Sequence, residues 1–245
     1  MRFDIVTIFP GMFAGPLDSS IIGRARDSGK IQVNVHDLRG WTTDKHRITD
    51  DYPYGGGAGM VMKVEPFAAA VAQLKTSNPA AKVILMSPAG TVLRHSLAME
   101  LSRQSGIIIL CGRYEGVDAR VTGLLCDMEV SIGDYVLTGG EIPAMALVDC
   151  VARLVPGVVG EEQSTVKESH AGNLLEYPQY TRPPEFEGLK VPEILLSGDH
   201  AKIEKWRREQ AIIKTARVRP ALLDKAGLSE DEMRTARKAM EEKGE

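Results

Sequence analysis

The chain has only three cysteines, an odd number that cannot make a closed disulfide framework. Cys111, Cys126 and Cys150 sit inside apolar segments without metal-ligand spacing, so reduced core thiols are expected. No apolar run reaches the roughly 18 residues that a membrane span requires. Residues 1–9 lack the charged start and apolar core of a signal peptide, and a cytoplasmic protein is expected. Neither sign of charge dominates. The net charge of −3 excludes a wholly basic nucleic-acid coat, though not a local basic patch. No G-x-G-x-x-G follows an apolar run and no lysine completes a P-loop, which disfavours a nucleotide-cofactor oxidoreductase and a triphosphate site. Internal repeats and low-complexity runs are missing as well.

What is present is an alternation. Apolar, β-branched runs at residues 3–9, 31–37, 82–86, 107–111 and 129–132 are separated by segments of helical character near 17–26, 65–74, 94–103, 117–125 and 142–154. Continuous apolar strands alternating with helices predict a parallel sheet covered on both faces, hence an α/β fold. At 245 residues, one large domain or two unequal ones fit the length.

Three of the predicted strands run into turn-rich loops: SPAG from 87, CGRYEG from 111 and IGDYVLTGGE from 132. Ligands of open α/β sheets bind beyond the carboxyl ends of strands, so three such loops at one edge predict a pocket. Glycines there suit close backbone approach to a ligand. The loops carry Glu115, Asp134 and Glu141, which suit a cationic or hydroxyl-rich ligand better than a polyanion. A fourth glycine cluster, residues 55–59, reads as a flexible loop.

Beyond residue 154 the composition shifts. Residues 156–173 read as a linker, 177–184 (YPQYTRPP) as a rigid extended segment, and 200–219 as a helix, with shorter helices near 221–226 and 230–242. The long helix carries Lys202, Lys205, Arg207, Arg208, Lys214, Arg217 and Arg219 against only Glu204 and Glu209. That charge reads either as a solvated face or as a phosphate-contact surface.

Six motifs in order carry a family resemblance: FDIVTIFP at 3, DDYPYGGGAGMVM at 50, LCGRYEGVDARV at 110, SIGDYVLTGGEIPAM at 131, LLEYPQYTRP at 174 and LSGDHAKIEKWR at 196. Together they resemble the bacterial tRNA (guanine-N1)-methyltransferases that act at position 37. The resemblance implies a mostly parallel sheet with a SPOUT-type trefoil knot at its C-terminal edge, plus a small C-terminal α-helical domain. It also implies a knotted domain over 1–156, a flexible linker over 157–173, a helical tRNA-binding domain over 174–245, and a homodimer.

The implied methyl donor is S-adenosylmethionine. Its contacts are expected at Ser87 and Pro88, and at Gly112, Tyr114, Glu115 and Gly116. Ile132, Gly133, Asp134, Tyr135, Val136 and Leu137 follow, with Gly139, Gly140 and Pro143 completing the set. N1 of guanine bears a proton at neutral pH, so a base must remove it while charge grows on O6. The resemblance places that base at Glu168, where the family carries an aspartate, with His170 as the rival. It places Arg153 at O6 or beside the base, against the alternative of a helix-terminal arginine offsetting the dipole. Lys45, His46, Arg47 and Arg182 join the basic helix as expected tRNA contacts. Magnesium is associated with the family, but no residues suggest a site.

Overall fold

The computed structural model describes residues 1–160 and 168–242. The middle of the expected linker, residues 161–167, lies outside them. The chain divides into two compact units, Met1–Gly160 and Glu161–Glu245.

The first unit runs β1 (Arg2–Thr7), α1 (Ser20–Asp27), β2 (Gln32–Asp37), β3 (Asp50–Asp51), β4 (Val61–Met62), α2 (Val64–Ser77) and β5 (Lys82–Val92). It continues through α3 (His95–Leu101), β6 (Gly106–Cys111), α4 (Ala119–Leu125), β7 (Met128–Ser131) and α5 (Glu141–Ala152). Five strands form one parallel sheet in the order β2-β1-β6-β5-β7. The period of two decides which face each residue serves. Along β6, Ile107, Ile109 and Cys111 join one core with Leu147 and Val151 of α5, while Ile108 and Leu110 join the other with Phe67 and Leu74 of α2. Both faces are covered, which is why β6 is buried throughout.

One expectation is corrected. Ser87-Pro88-Ala89-Gly90 does not end a strand: β5 continues to Val92. Its pairing with β7 jumps, so that Met86 and Thr91 both face Val130. The residues between bulge away, and the strand resumes. Gly90 permits the close approach to β7, since a Cβ there would lie 2.5 Å from the carbonyl carbon of Glu129 and the nitrogen of Val130.

The glycine cluster at 55–59 caps a small antiparallel pair, β3 with β4. Gly55, Gly56, Gly57 and Gly59 all have positive φ, which an L side chain would resist. The cysteines are free. Cys111 is buried, while Cys126 and Cys150 are half-buried. Burial pushes the Cys126 thiol up to about 11.

The second unit holds a hairpin, β8 (Glu185–Phe186) with β9 (Leu189–Lys190), then α6 (Glu193–Leu196), α7 (His200–Val218), a 3-10 turn (Pro220–Lys225) and α8 (Glu230–Glu241). The hairpin and α6 were not expected from the sequence. The Asp199 side chain caps α7 by accepting from the Lys202 amide, and Ser229 with Glu232 forms a capping box on α8. The core here is small: Leu174, Ala211, Ile212, Ala216, Leu223, Ala236 and Ala239. Among the described residues, no helix is long and apolar enough to cross a membrane.

Candidate active site

β6, β5 and β7 are neighbours and parallel, so their carboxyl ends open at one edge. The loops leaving them enclose a cavity of about 340 Å³. Ser87 and Pro88 line it from the β5 bulge, and Gly112, Tyr114, Glu115 and Gly116 from the turn after β6. Ile132, Gly133, Tyr135, Val136 and Leu137 line it from the loop after β7, with Gly139, Gly140 and Pro143 at the start of α5. Of the expected contacts only Asp134 does not line the cavity, and it is exposed.

The loops are held to one another by the chain's own backbone bonds. The Gly140 amide donates to the Gly112 carbonyl at 2.9 Å, and Arg113 forms a β-bridge with Gly139. The Glu115 amide donates to Met60 and the Met62 amide to Gly116, which ties the β3–β4 hairpin to the same turn. Tyr114 sits at φ 60°, a left-handed conformation unusual for a side-chain-bearing residue. Within the β7 loop, the Ser131 hydroxyl donates to the Gly133 carbonyl at 2.9 Å.

A buried charge pair joins three elements. Glu141, fully buried, accepts from the Thr7 hydroxyl at 2.7 Å and from Arg113 Nε at 2.8 Å. Arg113 also donates to the Thr138 carbonyl, and its guanidinium lies 4.6 Å from the centre of the Phe9 ring. Sequence reasoning missed Arg113 and Thr7. Both stood inside quoted motifs, CGRYEG for Arg113 and FDIVTIFP for Thr7, but nothing local tied either to Glu141.

The network revises the role of two glycines. A Cβ on Gly139 would run into Arg113 Nε and lie 2.6 Å from Glu141 Oε2, and one on Gly140 would lie 2.8 Å from Cys111 Cα. Their missing side chains leave room for the protein's own packing, besides lining the cavity.

Arg153 is the C-cap of α5, its amide donating to Asp149 at 3.3 Å. It does not line the cavity. Glu168 belongs to the second unit, where its carbonyl accepts from the Ala171 amide in a turn that also holds His170. Lys45, His46, Arg47 and Arg182 are exposed.

The basic window is more balanced than its own sequence suggests. Lys202 pairs with Asp199, Arg207 with Glu204, Arg208 with Glu232 and Arg217 with Glu242. Lys205, Lys214 and Arg219 take part in no ion pair among the described residues.

Residues 1–225 match the family model described as tRNA (Guanine-1)-methyltransferase TrmD. The chain is 60% identical over 224 residues to a tRNA (guanine-N(1)-)-methyltransferase of Citrifermentans bemidjiense, covering 91% of this chain and 90% of that protein. It is 55% identical to the protein of that name from Dictyoglomus turgidum over 95% and 94% of the two chains. The Moorella thermoacetica counterpart is 51% identical over 100% and 99%.

Proposed function

The chain belongs to the tRNA (guanine-1)-methyltransferase family, and from that premise we propose how its residues divide the work. It is an enzyme that transfers a methyl group from S-adenosylmethionine to N1 of guanosine 37 in tRNA. The cavity at the β5, β6 and β7 loops is the cofactor site. One observation carries this: three loops from adjacent parallel strands close a single cavity of ligand size. Its backbone-rich walls and the acid Glu115 suit an adenine ring, a ribose and a cationic methionine end. When bound there, S-adenosylmethionine supplies an electrophilic methyl on a sulfonium. The loops hold it in line with the incoming nitrogen.

Glu168 accepts the N1 proton, which frees the lone pair for attack. His170 in the same turn is the alternative acceptor. Arg153 stabilises the charge that develops on O6. It serves the cavity of a second copy, because α5 starts beside its own cavity and places its C-cap roughly 18 Å away at 1.5 Å per residue. This favours a homodimer with composite sites. The bulge between Met86 and Thr91, with Gly90 packed close against the β7 backbone, supports the reading that this edge carries the family's knotted connection. Residues 174–242 with α7 meet the tRNA, and the enzyme works in the cytoplasm.

Among the described residues no three His, Cys, Asp or Glu side chains converge as metal ligands.

The decisive experiment is methyl transfer from labelled S-adenosylmethionine to a tRNA transcript with guanosine 37, beside an adenosine 37 control. Glu168→Gln lowers turnover at least about 100-fold, the scale of a lost general base, with cofactor affinity nearly unchanged. Turnover close to wild type removes Glu168 from the mechanism. Residual activity that titrates near neutral pH transfers the role to His170.

A further inference from the structure

Glu141 is a sealed carboxylate that none of the steps above uses. It is 0% exposed and does not itself line the cavity. Arg113 does line it, with its side chain 14% exposed. A guanidinium keeps its proton at any working pH, so that wall contains a permanent cation. Glu141 Oε2 stands 2.8 Å from Arg113 Nε and cancels it, while Thr7 fixes the other carboxylate oxygen. The pair's field reaches inward too. The Cys111 thiol is pushed well above its ordinary range by burial first and by Glu141 second, with Arg113 opposing.

We infer that Glu141 sets the charge of the cavity: by neutralising and pinning Arg113, it tilts the site toward a sulfonium ligand relative to the neutral thioether left after methyl transfer. The inference rests on the reading of this cavity as the S-adenosylmethionine site. Glu141 is then a positioning residue that acts through Arg113. Loss of its charge leaves an uncompensated guanidinium in the wall. That cation repels the sulfonium and is indifferent to the thioether.

Calorimetric titration of the full-length protein with S-adenosylmethionine and with S-adenosylhomocysteine tests this. Glu141→Gln is isosteric and retains an acceptor for Thr7. It weakens S-adenosylmethionine about tenfold and S-adenosylhomocysteine about twofold or less, on the scale of one added charge across a partly screened cavity. Adding Arg113→Gln to it returns the ratio of the two affinities toward wild type. Thr7→Val, which leaves the charges in place, changes both affinities by the same factor. A purely structural Glu141 predicts equal losses for both ligands in Glu141→Gln, and that result overturns the inference. Should Glu141→Gln fail to fold, Arg113→Gln alone moves the ratio in favour of S-adenosylmethionine, and an unchanged ratio overturns the inference equally. A wild-type protein that binds neither ligand instead sinks the cofactor reading on which the inference rests.

Discussion

In the first unit Asp4 is 1% exposed and accepts from Arg2, Asn34 and His36, each within 2.9 Å, while Glu141 is sealed between Thr7 and Arg113. In the second unit the ion pairs of Lys202, Arg208, Arg217 and Arg234 stand at the surface. The difference lies in solvent. Buried partners fix strands and loops to one another, and removing one leaves the others uncompensated in low dielectric. Exposed pairs are screened and exchange easily with water. The unit proposed to hold a small ligand has pairs of the first kind beside its cavity and strands, along with exposed ones such as Arg26 with Asp18 and Arg120 with Asp118. The unit proposed to meet a polyanion keeps its charges at the surface, where phosphates can compete for them.

That contrast can be broken by substitution. Asp4→Ala should cost about 3 kcal/mol, because Arg2 and His36 lose a buried partner, and urea unfolding followed in the first unit checks it. Gly140→Ala should cost about 2 kcal/mol through overpacking against Cys111. It should also lower S-adenosylmethionine affinity, since the clash pushes one cavity loop off another. Glu232→Gln, which unpairs Arg208 at the surface, should cost less than about 1 kcal/mol. Equal losses for Asp4→Ala and Glu232→Gln would erase the distinction between the units.

Two further tests sharpen it. Burial alone would raise the Asp4 carboxyl, but hydrogen bonds from His36, Arg2 and Asn34 outweigh it and hold the group below its ordinary value. A depressed folded value means stability that is present above the unfolded value and lost as pH falls through the folded one. Acid unfolding of wild type below about pH 4 should therefore flatten in Asp4→Asn. In the second unit, replacing Lys205, Lys214 and Arg219 with alanine should reduce the slope of log affinity for tRNA against log salt by about 2 to 3, one unit per lost phosphate contact. An unchanged slope would remove α7 from the RNA surface.

Local pattern carried most of the sheet. The apolar runs marked β1, β2, β6, β7 and the first half of β5, and the loops after residues 86, 111 and 132 pointed to one edge because parallel strands share their carboxyl ends. Ser87 and Pro88 hid the second half of β5, since the same residues that make a turn also make a bulge. The role of Glu141 was unreadable for a different reason. Its partners lie 134 and 28 residues away, and a pair at such separation leaves no local periodicity. The basic helix is more balanced in the fold than in its own window. Its own window counts few acids, but Glu232 and Glu242 come from α8 and its end, and only folding brings them alongside.

The long reach of β1 also sets a clock. Arg2 pairs with Gly106, and Thr7 meets Glu141 only after 134 further residues. At roughly 5–20 residues per second of synthesis, an apolar first strand waits on the order of ten seconds for its final partners. Its early neighbour β2 pairs from residue 32 onward and covers only one edge in that interval. Slowing translation between residues 37 and 106 should therefore raise the newborn chain's dependence on chaperones, while the same delay after residue 160 should not.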